Sequence, residues 1–181
     1  KVDTCAIKNC LMQGYRCLDF ELFSSLNETN KLQCVVGMSE QENSFNTISS
    51  SNTLPLSEVF RFLRNYAFSD ICPNSNDPCI LHLRIKSTDR SIINIIVNEI
   101  KTFLHDKLLP IKYGFAAQNH ENQIGNVELQ KLANKFILLV NAPELELKNS
   151  SLYEYSNGIT GSEKTRIYYY NELNNANREL I

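Results

Sequence analysis

The chain has 181 residues, 43% of them hydrophobic and 21% charged, with a formal net charge of -2, the make-up of an ordinary globular domain with one sizeable core. A nearly neutral balance without a dense Lys/Arg cluster supplies no field for nucleic acid, which is set aside as a partner. No apolar run approaches the roughly 20 residues of a membrane-spanning helix, so insertion in a bilayer is not expected either.

Six cysteines, Cys5, Cys10, Cys17, Cys34, Cys72 and Cys79, form no C-x-x-C pair and no Cys/His group at zinc spacing, so a structural zinc is not expected. An even count and the triplets Asn27-Glu28-Thr29 and Asn149-Ser150-Ser151 suit secretion. A chain this rich in Asn and Ser also produces such triplets by chance, so secretion stays open beside reduced thiols in a cytoplasmic or host-cell soluble setting. The chain starts at Lys1 directly before a helical pattern, from which an upstream segment is expected.

Ala6, Ile7, Cys10 and Leu11 fall at helical spacing behind the caps Asp3 or Thr4, and Gly14 stands where that helix stops. The next stretch, Gly14 to Phe23, reads as a strand. Cys17, Asp19 and Glu21 share one face of it while Leu18, Phe20 and Leu22 share the other. Two carboxylates on such a strand are costly without a cation, an arginine or hydrogen-bond donors, and they mark a candidate site.

A second apolar run spans Leu32 to Met38, and Ser39 to Thr53 reads as a long surface loop. Leu56, Val59, Phe60 and Leu63 predict a helix fading near Ala67 or Phe68. After the Pro- and Asn-rich connection 70–78, Cys79 to Lys86 reads as a strand. A helix over Ser91 to Leu108 follows, capped by Thr88 or Asp89. Val127 to Ala133 reads as a short helix, Lys135 to Asn141 as a strand buried on both faces, Arg166 to Tyr170 as a strand and Asn171 to Ile181 as a terminal helix.

Alternating strands and helices with crossover-length connections predict parallel β/α units. A complete eightfold barrel takes roughly 250 residues. The fold class expected is α/β, a partial (β/α)8 TIM-type barrel lacking its first strand, in one domain over 1–181; a small open doubly wound sheet is the alternative.

Four ordered segments, Gly14-Tyr-Arg-Cys-Leu-Asp-Phe-Glu21, Leu56-Ser-Glu-Val-Phe60, Asp77-Pro-Cys-Ile-Leu-His-Leu-Arg84 and Leu132-Ala-Asn-Lys-Phe-Ile-Leu-Leu-Val140, resemble the catalytic X region of phosphatidylinositol-specific phospholipase C, most closely its divergent members in large DNA viruses and marine microbes. The likeness runs from Val2 to about Asn141, leaving 142–181 as a remainder. It implies a distorted (β/α)8 barrel of the phospholipase C-like phosphodiesterase superfamily, active in lipid metabolism. The implied reaction is cleavage of a phosphoinositide or related phosphodiester through attack of the inositol 2-hydroxyl on phosphorus. Two histidines and, in eukaryotic members, calcium assist it. The implied partner is the phosphodiester head group, with peripheral membrane contact; nothing indicates an oligomeric state.

By that resemblance Asp19 and Glu21 fall on two acidic calcium ligands with their order exchanged, hard oxygen donors of the kind calcium takes. The third acidic ligand falls at Arg84. The second catalytic histidine is absent: Gly37, Met38 and Ser39 stand where it belongs. The first belongs upstream of Lys1, and the phosphate-binding lysines of the later strand are missing unless Lys135 serves.

Arg84 can replace calcium with a guanidinium from across the barrel mouth, as bacterial metal-independent members use an arginine, or it can close a structural ion network with Asp19 and Glu21. His82 shares the face of Arg84 and Lys86 and is either a substitute proton carrier or a satisfied rim histidine. His105 suits a helix C-terminus, His120 a solvated loop, Tyr168 to Tyr170 a half-buried strand, and Cys17 a small buried filler. Two functions result: a phosphoric diester hydrolase using Arg84 and His82 with Asp19 and Glu21, or a catalytically inactive relative binding a phosphorylated head group or a protein.

Overall fold

Asn27 sets the first turn of the sheet. In the computed structural model, which describes residues 1–41, 43–117, 123–143, 145–148 and 150–160, its side-chain oxygen accepts from the Thr29 amide at 3.0 Å, the Thr29 hydroxyl at 2.8 Å and the Lys31 amide at 2.9 Å. Asn30 takes the left-handed conformation at φ 59°. This Asx-type turn folds strand β1 (Cys17–Leu26) back on β2 (Leu32–Gly37) as an antiparallel hairpin, Glu21 opposite Gly37 and Leu26 opposite Leu32. The expectation that all strands run parallel is corrected here, because a crossover needs about a dozen residues or more and the turn has too few.

Helix α1 (Thr4–Met12) precedes the hairpin, its first turn capped by Asp3 accepting from the Ala6 amide at 3.0 Å. Gly14, at φ +85°, turns the chain from α1 into β1, a conformation that glycine alone adopts freely. After the hairpin a two-residue strand β3 (Leu54–Pro55) pairs antiparallel with β2 and leads into helix α2 (Leu56–Tyr66). From there the expected β/α pattern holds. Strand β4 (Cys79–Ile85) lies parallel to β1; helix α3 (Ser91–Phe103) crosses to β5 (Phe136–Asn141), parallel to β4; helix α4 (Ser151–Tyr155) leads to the short β6 (Gly158–Ile159), parallel to β5.

The strand order is β3-β2-β1-β4-β5-β6. Among the described residues no pairing joins β3 to β6. No described helix is long and apolar enough to cross a membrane.

Two expected helices are shorter. Helix α3 stops at Phe103 and a 3-10 turn, His105–Lys107, takes over: Pro110 disfavours helix at the residue before it, and Leu108 bridges to Phe136. The segment expected as a helix over 127–133 is replaced by 3-10 turns at Ile124–Asn126 and Leu129–Leu132. The strand expected at 166–170, the terminal helix at 171–181 and His120 lie outside the described residues.

Alternation along β4 divides the sheet into two faces. Cys79, Leu81, Leu83 and Ile85 are at most 1% exposed and share one core with Leu18, Phe20 and Leu22 of β1, Phe136, Leu138 and Val140 of β5, and the apolar stripes of α1 (Ile7, Leu11), α2 (Val59, Phe60, Leu63) and α3 (Ile92, Ile96, Ile100). The other face is apolar at the strand starts, where Ile80, Ile137 and Leu139 meet Leu109 and Leu132, and polar toward the C-terminal ends of β1, β4 and β5. Helices α1, α2 and α3 thus pack on one face, and the polar side chains gather on the other.

Candidate functional site

Register assembles the polar face. Parallel pairing of β1 with β4 sets Asp19 beside His82 and Glu21 beside Arg84, and pairing of β4 with β5 sets Arg84 beside Asn141. All four expected site residues come together. They are immediate neighbours on adjacent strands, which corrects the picture of Arg84 reaching across a barrel mouth.

Arg84 grips Asp19 with two donors, Nε to Oδ1 at 3.0 Å and Nη2 to Oδ2 at 2.6 Å, the bidentate fork that favours arginine over lysine. Its Nη1 lies 3.2 Å from Glu21 Oε1. Glu21 also accepts from Ser39 twice, through the backbone amide and through the hydroxyl at 2.6 Å. The side chains of Glu21 and Arg84 are 11% and 20% exposed and that of Asp19 is 45% exposed, so a ligand meets Asp19 first.

His82 extends the network. Its Nδ1 lies 3.1 Å from Asp19 Oδ1 and its Nε2 3.0 Å from the Thr160 hydroxyl. Nδ1 faces the carboxylate and Nε2 shares a hydrogen bond with the Thr160 hydroxyl, so both ring nitrogens have a polar partner. His82 is therefore a satisfied, oriented imidazole whose second nitrogen contacts a hydroxyl.

Burial alone raises the Asp19 pKa, but hydrogen bonds from His82 and Arg84, with the charges of both, outweigh it and hold the carboxyl below its ordinary value of 3.8. A carboxylate lowered on folding adds stability above its unfolded pKa and loses it as pH falls through the folded one. Stability is therefore expected to be insensitive to Asp19 above about pH 5 and to decline below about pH 4. Thermal midpoints from pH 6 to 2.5 check this: Asp19→Asn flattens part of the acid limb relative to wild type.

A cavity of about 770 Å³ opens on this network, lined by Asp19, Glu21 and Arg84, by Ala6, Ile7 and Cys10 of α1, and by Tyr15, Met38 and Ser39. Cys17 also faces it and is exposed, which corrects the buried-filler reading. Partial burial and the Asp19 charge raise the Cys17 pKa, which disfavours a thiolate.

Lys135 stands at the start of β5, its Nζ donating to the Asp106 carbonyl at 3.0 Å. His105, Asp106 and Lys135 line a separate cavity of about 360 Å³. Lys135 is thus at the opposite strand end from Arg84 and does not stand in for the missing phosphate-binding lysines. Ser39 and Thr160 were not foreseen. Ser39 was legible in principle, two residues past Gly37, which pairs with Glu21; Thr160 follows a strand too short to carry a pattern.

Calcium takes roughly six to eight oxygens. Here each carboxylate is already bonded to the guanidinium, Glu21 also to Ser39, and a fixed positive charge lies between them. Among the described residues no group of three or more His, Cys, Asp and Glu side chains is arranged to hold an ion. The donor set as it stands does not fit calcium. Two carboxylates and one guanidinium sum to a formal charge of -1, an arrangement that accepts hydroxyl protons.

No protein-family model and no curated protein matches the sequence. Solved structures do match. The chain is similar to the calcium-dependent phosphoinositol-specific phospholipase C of the Gram-negative bacterium Pseudomonas sp. in its apo, myoinositol-complex structure, with TM-score 0.53, 15% identity, and 84% of this chain covering 58% of that one. A second crystal form of that enzyme gives TM-score 0.54, 15% identity, and 84% of this chain on 59% of that one. The calcium-dependent phosphatidylinositol-specific phospholipase C of Streptomyces antibioticus gives TM-score 0.52, 17% identity, and 78% of this chain on 49% of that one. At these identities the likeness is one of fold: a mixed α/β chain with a six-stranded sheet, spanning about half to three-fifths of the length of those enzymes.

Proposed function

We propose that this chain is a partial (β/α)8 barrel of the phospholipase C type that receives a phosphorylated polyol head group, such as that of a phosphoinositide, and acts on its phosphodiester without calcium. The carrying observation is Arg84, fixed between Asp19 and Glu21 near the C-terminal ends of parallel strands, where α/β folds place their sites. Asp19 accepts ring hydroxyls, Arg84 supplies the fixed positive charge, and His82, oriented by Asp19, is the imidazole among the described residues that is positioned to move a proton.

A second reading, head-group binding without cleavage, is favoured by Ser39. It occupies the end of β2, where the resemblance places the second histidine, and its donors are spent on Glu21.

The test uses phosphatidylinositol vesicles and myo-inositol 1-phosphate with wild type, Glu21→Gln and Arg84→Ala. Expected are calorimetric binding of inositol 1-phosphate by wild type, binding about tenfold or more weaker in each variant, and cyclic inositol phosphate release by wild type alone. Binding without release leaves the second reading; no binding by any of the three rejects both.

A further inference from the structure

His105 and Lys135, both singled out by the sequence, take no part in the Arg84 site. They line the second cavity, about 360 Å³, beside the start of β5 at the strand end opposite Arg84. That volume lies at the small end of the roughly 300–1,000 Å³ of small-molecule sites.

The walls of this cavity hold one another in place. The Asn157 side chain accepts from the Leu138 amide at 2.9 Å and donates to the Tyr113 carbonyl at 3.0 Å, and the Phe115 amide donates to the Ser156 carbonyl at 2.6 Å. Gly114 lets the two segments touch, since a Cβ there would stand 2.4 Å from the Glu154 carbonyl oxygen. Such a cavity is formed before a ligand arrives, and no ordering cost is charged against binding.

Lys135 is half-buried, and its Nζ donates to the Asp106 carbonyl at 3.0 Å. An ammonium has three protons to donate, so two remain. The Asp106 carboxylate is taken at both oxygens by Arg64, and among the described residues no carboxylate lies within ion-pair reach of Lys135. Lys101 adds charge nearby, its Nζ 5.5 Å from the centre of the Tyr155 ring that lines the cavity. Arg64, Lys101 and Lys135 thus outnumber Asp106 and Glu154 around it.

Beside this cation stands an apolar wall, Leu108, Leu109, Pro110 and Ile111. Ile111 is 73% exposed, the most of any large apolar side chain among the described residues. An anion carried on an apolar body matches both features. A phosphate dianion matches less well, because Lys135 is the one lysine of the lining and the exposed Glu154 adds a negative charge to it.

We propose that this cavity is a second ligand site, for a small carboxylic acid with an apolar body. Its carboxylate pairs with Lys135, and its body lies against Pro110, Ile111 and Tyr155. The site is independent of the head-group reading, which concerns the other cavity.

The experiment combines calorimetry with amide NMR shifts on the full chain at neutral pH, with 3-phenylpropionate and its neutral counterpart 3-phenylpropionamide as probes. Wild type is expected to bind the acid about tenfold or more tightly than the amide, with the largest shifts at Ile111, Gly114 and Tyr155. Lys135→Met keeps the apolar stem and is expected to lose that preference, and Lys135→Arg to keep most of it. Glu154→Gln removes the opposing charge and is expected to tighten acid binding about twofold to fivefold. Equal binding of acid and amide by wild type, binding of neither, or Lys135→Met that binds the acid as wild type does overturns the proposal. Should melting curves show Lys135→Met unfolded, the acid-to-amide ratio of wild type and the Glu154→Gln result decide. None of these outcomes bears on inositol 1-phosphate at Arg84.

Discussion

Arg84→Ala is expected to lower stability by about 2 kcal/mol, less than the 3–5 kcal/mol for breaking a fully buried pair because Asp19 is partly solvated. For a chain of this size that is a fall of about 4–8 °C in the thermal midpoint. Glu21, 11% exposed, bears most of the loss: it keeps its Ser39 donors but loses the cation that balances its charge. Arg64→Ala is the control. The Arg64–Asp106 pair is also bidentate, but its side chains are 41% and 50% exposed, so its loss is expected to cost under about 1 kcal/mol. A double-mutant cycle on Arg84 and Glu21 gives their coupling directly.

Leu83→Ala is expected to be the more damaging change, at about 2–5 kcal/mol. Leu83 is fully buried on the opposite face of β4 from the site, between His82 and Arg84, and sits beside Phe20 and Val140 in the register. Truncation leaves a cavity under the strand that carries both functional side chains. Urea unfolding is expected to show a lower midpoint at unchanged slope.

How much of this was legible depended on pattern length. The alternation of Cys79 to Ile85 and the helical stripe of Leu56 to Leu63 located β4 and α2 within a residue or two, because a period repeated several times outweighs local noise. Carboxylates on the polar face of β1 and Arg84 on that of β4 pointed to one site, and parallel pairing brought them together. The hairpin was misread because Asn27 to Lys31 looks like any polar connection until its hydrogen bonds are known. Direct adjacency of Glu21 and Arg84 was not readable either, since register depends on how two strands slide. Thr160 and the Lys86–Phe45 stacking join segments far apart in sequence with no periodic signal.

Arg84 as the resident cation of this site is the claim on which the functional account stands, and calcium calorimetry tests it most directly. Wild type is expected to give no heat of binding with millimolar calcium at neutral pH, because the guanidinium already occupies the space between the two carboxylates and is bonded to both. Saturable binding of calcium by wild type at micromolar concentration, abolished in Glu21→Gln, would contradict it.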